Sequence, residues 1–411
     1  MAFLSIAAFR HPQYARLWTG AFISNIGTWM ETIAIGVYVT DATGQAAWTG
    51  AVAAAAFVPI ALLGPLGGAF ADRFPRRMLM MTTTLVQTAL ATLLTVLFIA
   101  GSPSAPVVTV IVFSSGIAAA LGFPAFQAML PDLVPEEDLA SAIAMSSAQY
   151  NLGRVIGPVI AGVVISLGGY AWALGINAAS FLAVVFVLTT IRIPPPTPPP
   201  EGETLWRSMA VGARFVRADR GLRVSVGAMC INTLLAAPFI ALVPAMSEKV
   251  FDAGSRGTSI LVTAQGIGAV TMGIALGTLT TRFGIRRVVS AMLVLLPPAL
   301  VLYAYAPVLP LSALALLFVG AFYLGALSSF FTISQMRAPA NLRGRVLSVN
   351  NIILGSLYPL GAVVQGKVAD SIGLRATTAG AAVLMAVALL AVRIARPGIA
   401  SALDAPAPAV E

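Results

Sequence analysis

Apolar residues run along this chain in long unbroken stretches, separated by short polar punctuation, with no every-second-residue alternation. A helix needs roughly 20 such residues to cross the hydrocarbon of a bilayer. On that measure the pattern predicts twelve spans, near 16–39, 47–71, 78–100, 106–128, 139–168, 170–191, 222–249, 257–281, 286–306, 309–335, 343–370 and 374–396. Inside hydrocarbon every backbone N–H and C=O needs a partner, and continuous rather than alternating apolarity selects helices over barrel strands. The expected fold class is an all-α integral membrane protein of twelve transmembrane helices.

The polar punctuation repeats. Gly68-Ala-Phe-Ala-Asp72-Arg73-Phe-Pro-Arg76-Arg77 follows the second span, and Gly277-Thr-Leu-Thr-Thr281-Arg282-Phe-Gly-Ile-Arg286-Arg287 follows the eighth. The second copy keeps the Gly, Arg, Phe and basic cluster, replaces the acid by Thr281 and adds one residue. Gln127-Ala-Met-Leu-Pro131 is likewise echoed by Gln335-Met-Arg-Ala-Pro339. The chain therefore divides into two pseudo-symmetric six-helix halves related by parallel repetition, 1–191 and 222–396. Between them, 192–221 holds the run Pro194–Pro200, stiff and extended, and then an interfacial amphipathic helix over 204–220 with Arg207, Arg214 and Arg217 on one face. The tail, 397–411, is rich in Ala and Pro and is expected to be disordered.

Composition agrees with a bilayer as solvent: of 411 residues 58% are hydrophobic and 9% charged, and mean hydropathy is +0.92. The net charge of +9 raises nucleic acid as a partner, but its distribution argues against it. With the N-terminus inside, 19 of the 24 Lys and Arg fall on the cytoplasmic side, which fits the positive-inside rule and predicts a multi-pass protein of the cytoplasmic membrane with both termini in the cytoplasm. Met1 to Phe9 has no basic n-region, so the first span is expected to direct insertion itself. One cysteine, Cys230, and one histidine, His11, offer no disulfide framework or metal site, and no cofactor is expected. H-E-x-x-H, G-x-S-x-G and a phosphate-cradling Gly loop are absent from the sequence, and Glu136, Glu137 and Asp138 have no His or Cys beside them. The reading is transport, not catalysis.

Gly68, Asp72, Arg73, Arg76 and Arg77 match the loop that marks the major facilitator superfamily, with Pro75 in place of its usual second Gly. Gly153-Arg-Val-Ile-Gly157-Pro158-Val-Ile-Ala-Gly162 is similar to the fifth-helix pattern of that superfamily's exporters, with its last Gly one residue late. Over nearly its whole length the chain resembles that superfamily, and Asn151-x-x-Arg154-x-x-Gly157-Pro158 with the twelve-span layout is similar to its drug:proton antiporter and enterobactin-exporter branch. The resemblance implies proton-coupled export of small amphipathic molecules, drugs, metabolites or siderophores, by alternating access. An importer of the same fold, or a non-transporting membrane sensor or scaffold, are the alternatives. Asp72 and its arginines would then latch and release a cytoplasmic gate, with Gly277, Arg282, Arg286 and Arg287 as the second copy. Gly153, Gly157 and Gly162 allow close helix approach and Pro158 a bend, which suits packing as well as gating.

Charges deep within spans are few. Glu31 and Arg154 each lie roughly 22 Å from the cytoplasmic edge at 1.5 Å per residue, and burying either alone is costly. They are expected to meet, directly or through water, as a proton-coupling pair. Ser24, Asn25, Thr28 and Thr32 form a polar stripe on the first span. Asn25, Thr28, Gln149, Asn151, Asn232, Gln265, Gln335, Asn350 and Tyr358 are candidate substrate-cavity residues. So few intramembrane charges suit a bulky, neutral or weakly charged solute, with protons as coupling ion, the lipid bilayer as surroundings and a monomer as the working form.

Overall fold

A computed structural model describes residues 6–194, 205–339 and 342–404. In order, α1 is Pro12–Thr43, α2 Ala46–Arg73, α3 Arg76–Ala100, α4 Ala105–Leu133, α5 Glu136–Thr190, α6 Leu205–Ala218, α7 Arg220–Ile231, α8 Phe239–Phe251, α9 Gly254–Phe283, α10 Ile285–Tyr305, α11 Leu309–Arg337, α12 Arg343–Ile372 and α13 Leu374–Ala395. Ten helical stretches among the described residues are long and apolar enough to cross a membrane. One of them, α5, holds two crossings, because Gly169 takes φ 75° and turns the chain between them. With the more polar α1 this makes twelve.

Helix ends follow local chemistry. Pro occupies the first turn of α1, where its missing N–H costs nothing, and Gly44 closes that helix in the left-handed region with its N–H on the Thr40 carbonyl. The seventh span, expected as one helix, is instead α7, a π-helical turn over Asn232–Ala236, and α8. Pro238 has no N–H and its ring crowds the preceding turn. The chain widens to accommodate it: the Ala237 N–H donates to Asn232 O at 3.0 Å, and the Gln365 side chain of α12 donates to the freed carbonyls of Leu234 and Leu235 at 3.3 and 3.0 Å.

The chain forms two compact units. The first comprises 1–44, 55–202 and 253–263, the second 45–54, 203–252 and 264–411. In the first, a cluster of Tyr14, Leu17, Met129, Leu133, Leu188 and Ile191 is buried near the end that carries the Gly68–Arg77 motif. Tyr14 and Trp18 of α1 donate to the carbonyls of Ala142 and Met145 on α5, both at 2.8 Å. In the second, Leu222, Val289, Phe330, Ile333 and Val346 form the corresponding cluster. Leu167, Ile99 and Phe186 are among the large apolar side chains left exposed, as lipid-facing positions should be.

Two connecting segments depart from expectation. The helix anticipated over 204–220 is α6, which does more than lie on a surface: Gly212 abuts the Arg345 carbonyl of α12 and Val216 is buried, while Arg214 and Arg217 are exposed. The Arg207 side chain and residues 195–204, with most of the proline run, lie outside the described residues. The start of the tail is ordered. Ile399–Leu403 is a 3-10 turn with Ala402 buried, held because Arg337 donates to Leu403 O at 3.4 Å and Arg286 pairs with Asp404 at 2.9 Å. Disorder was expected there because the segment lacks apolar periodicity, but basic groups on the helices supply the anchors; 405–411 lie outside the described residues.

Candidate functional site

In the first unit, α1 lies between the two arms of α5, and its side chains sort by angle. Gly20, Gly27 and Glu31 belong to one stripe, and a methyl added at Gly27 would meet Ser180 and Asn177 of the second arm. The Asn177 amide donates to the Glu31 carboxylate, and Ser180 donates to Asn177 O at 2.7 Å. Asn25, Ile26 and Trp29 face the first arm. Added methyls at Gly153 and Gly157 would come within 3.0 Å of Asn25 Cβ and 2.5 Å of Trp29 Cβ, so these glycines let α1 and α5 touch. Gly162 abuts Ser259 of α9, and Pro158 lies inside α5.

This arrangement corrects the expected Glu31–Arg154 pair. Glu31 is two residues from Trp29, about 200° around a helix, so the shared depth of the two charges does not bring them together. Arg154 is buried, its guanidinium carbon 5.5 Å from the Trp29 ring centroid, and its Nε has no hydrogen-bond partner. Among the described residues it makes no ion pair. Trp29 in turn meets the Tyr150 ring edge-on at 6.0 Å.

The cavity candidates separate by environment. Gln149, Asn232, Gln265, Asn350 and Tyr358 are buried. The side-chain nitrogens of Gln149 and Gln265, both amide atoms of Asn232 and the amide oxygen of Asn350 lack partners, while the Asn350 nitrogen donates to Ser334 at 2.9 Å. Asn232 opens the π-helical turn. Asn25 is half-buried, Thr28 is exposed and donates to Ser24 O, and Asn151 donates to Ser147 O. Gln335 does not belong to this set: it is exposed in the last turn of α11, where its carbonyl accepts from Arg343.

At the motif-bearing end of the first unit, Arg76 donates to Asp132 at 2.7 Å and to Ala128 O at 3.0 Å, and Arg77 to Ile191 O at 3.0 Å. Asp72 and Arg73 are exposed, and Asp72 has no ion pair among the described residues. Gly68 and Gly277 have nothing near an added methyl. Pro75 precedes α3 at φ −54°, whereas the inserted residue of the second copy lets Gly284 adopt φ 80° before α10. In that copy Arg286 takes Asp404, Arg282 lies over Phe283 and Arg287 is exposed.

Several partners were not anticipated. Asp132 follows the echoed Gln127–Pro131 run, and the second copy has Ala340 there. The second unit holds a buried pair of its own: Asp219 accepts from Arg337 Nε and Nη2, both at 2.8 Å, and caps α7 through the Leu222 N–H at 2.6 Å. Burial presses the Asp219 carboxyl upward, but hydrogen bonds and charge from Arg337 and the N–H groups of Leu222 and Gly221 outweigh it and hold it below the usual range. Also in the second unit, Asp370 accepts from the N–H groups of Ala46 and Ala47 at 2.7 and 2.9 Å and pairs with Lys249 at 3.3 Å.

Comparison with known proteins agrees with this architecture. Residues 4–409 match the model of a family described as transmembrane secretion effector. Macrolide efflux protein A of Streptococcus pyogenes is 23% identical over 88% of this chain and 90% of its own length. The enterobactin exporter EntS of Salmonella typhimurium is 27% identical over 82% of this chain and 80% of its own. Among solved structures, the nucleoside transporter NupG superposes with a TM-score of 0.73 at 15% identity, covering 92% of this chain and 98% of that one, a likeness of fold.

Proposed function

Starting from the chain's membership of the transmembrane secretion effector family, within the major facilitator superfamily, we propose that it exports small amphipathic molecules in exchange for protons. The chain is a multi-pass membrane transporter and not an enzyme; direction, coupling ion and substrate class are the proposal. Export is favoured because the macrolide relative is an efflux protein and the enterobactin relative an exporter. Charge bias supports the cytoplasmic membrane, both termini inside, and a monomer suffices for the cycle.

Proton coupling rests on Glu31. It lies mid-helix in α1, and its partner is the neutral amide of Asn177. Gaining or losing a proton there leaves no opposing guanidinium stranded, so the carboxyl is free to follow the state of the carrier. Protonation from outside and release toward the cytoplasm would bias the equilibrium between conformations, as alternating access requires. Arg154 does not share this role directly, because it lies on the other side of α1. The motif around Asp72, Arg73, Arg76 and Arg77 is assigned a gating role at the end where Arg76 already binds Asp132.

The test is efflux of radiolabelled erythromycin from proteoliposomes under an imposed pH gradient. Glu31→Gln should abolish the effect of the gradient while preserving gradient-free exchange of erythromycin. Full gradient-driven efflux by this variant removes Glu31 from the coupling step.

A further inference from the structure

Arg154 presents an unfinished interaction. The side chain is about nine-tenths buried, at 8% exposure, in the membrane-crossing first arm of α5. Its guanidinium lies over the Trp29 ring, its Nε is buried without an acceptor, and no carboxylate or carbonyl of the described residues accepts from its terminal nitrogens. An arginine in a bilayer ordinarily finds an acid or backbone carbonyls. Glu31, the acid at matching depth, is committed to Asn177. A cation held over an aromatic face by charge alone makes no hydrogen bond there, and its fork of N–H donors stays available to a planar anion.

We propose that Arg154, Trp29 and Tyr150 form an anion-recognition site for a carboxylate carried on an aromatic or otherwise apolar body. This rests on the transport reading above and names a substrate class for it. Arg154 supplies the two-point contact with the carboxylate. Trp29 and the half-exposed Tyr150, edge-on to each other at 6.0 Å, supply an apolar wall beside it. The glycines serve the site at one remove: Gly153 and Gly157 admit α1 close enough for Trp29 to reach the guanidinium. A carboxylate supplied by the solute neutralises a charge whose burial is otherwise costly, whereas a neutral solute of the same shape does not. Monoanions of that kind thereby join the neutral or weakly charged solutes expected from the sequence.

The test uses the purified full-length protein in a neutral detergent and two probes of one shape, 2-naphthoate and 2-naphthamide, with binding read by titration calorimetry. The wild-type protein should bind the naphthoate at least about tenfold more tightly, and Arg154→Gln should erase the difference by weakening naphthoate far more than naphthamide. Arg154→Lys, which keeps a charge but loses the fork, should retain a preference reduced several-fold, and serves alone if the Gln variant does not fold. Equal binding of the two probes by wild type, no binding of either, a preference that survives Arg154→Gln, or an unchanged preference in Arg154→Lys overturns the proposal. Because binding needs no gradient, loss of this preference with proton-driven efflux intact sinks the anion site alone. The reverse pattern sinks only the exporter reading.

Discussion

Asp219 is the residue whose replacement has the most definite cost. It is fully buried, pairs with both Nε and Nη2 of Arg337, and caps α7. Asparagine caps a helix about as well as aspartate, so Asp219→Asn isolates the ion pair. It removes the carboxylate charge from beside the Arg337 guanidinium, itself 8% exposed. Breaking a buried pair from one side costs about 3–5 kcal/mol. For a folding unit of this size each kcal/mol lowers the melting temperature by roughly 2–4 °C, giving a fall of roughly 6–20 °C. Thermal melts in detergent measure it, and Asp219→Asn with Arg337→Met, which removes both charges, should melt above the single variant. The pH dependence has a definite sign. The Asp219 carboxyl is depressed in the fold, so its contribution is present above the ordinary aspartate value of about 3.9 and is lost as pH falls through the lower folded value. The gap between wild type and Asp219→Asn should therefore hold near neutral pH and close below about pH 4. A single variant within about 2 °C of wild type at pH 7, or a gap that widens on acidification, rules out a stabilising buried ion pair at Asp219.

Other predictions follow from the same contacts. Gly157→Ala places a methyl 2.5 Å from Trp29 Cβ and 2.9 Å from Ile26 O, and should cost about 1–3 kcal/mol by overpacking; Gly68→Ala, inside α2 with open space around it, should hold or slightly raise the melting temperature, and equal melts for the two would show that α1 and α5 are not in close contact. Asp72→Ala should depress turnover in the efflux assay with little effect on melting, since Asp72 is exposed, whereas Thr281→Ala should alter neither; equal turnover losses would remove the asymmetry between the motif copies. Asp370→Ala strips the anion from the first turn of α2 and from Lys249, and should lower stability by about 1 kcal/mol at low salt, with the deficit shrinking as salt is added; a salt-independent loss would point to packing instead.

The spans were legible because hydrocarbon imposes length and apolarity on each one, and the break at Gly169 falls in the gap expected between 168 and 170. The π-helical turn was not, since widening one turn leaves the apolar length intact; Pro238 was its available signal. For Glu31 and Arg154 the sequence supplied depth by residue count, but not angle, which depends on which neighbour packs against which face of α1. Gly27, one helical turn before Glu31, marked the stripe that meets Asn177. Asp132 carried no signal of its own, because only its neighbours in the Gln127–Pro131 run recur. Asp404 lies in a segment without periodicity, and its role comes from where Arg286 stands.

Proton-driven export is measured in proteoliposomes loaded with erythromycin, by comparing the wild-type protein with Glu31→Gln across an imposed pH gradient. Wild type should show accelerated efflux that collapses when the gradient is dissipated, and the variant gradient-independent exchange alone. Equal gradient-driven efflux by both proteins, or a wild-type rate indifferent to the gradient, contradicts it.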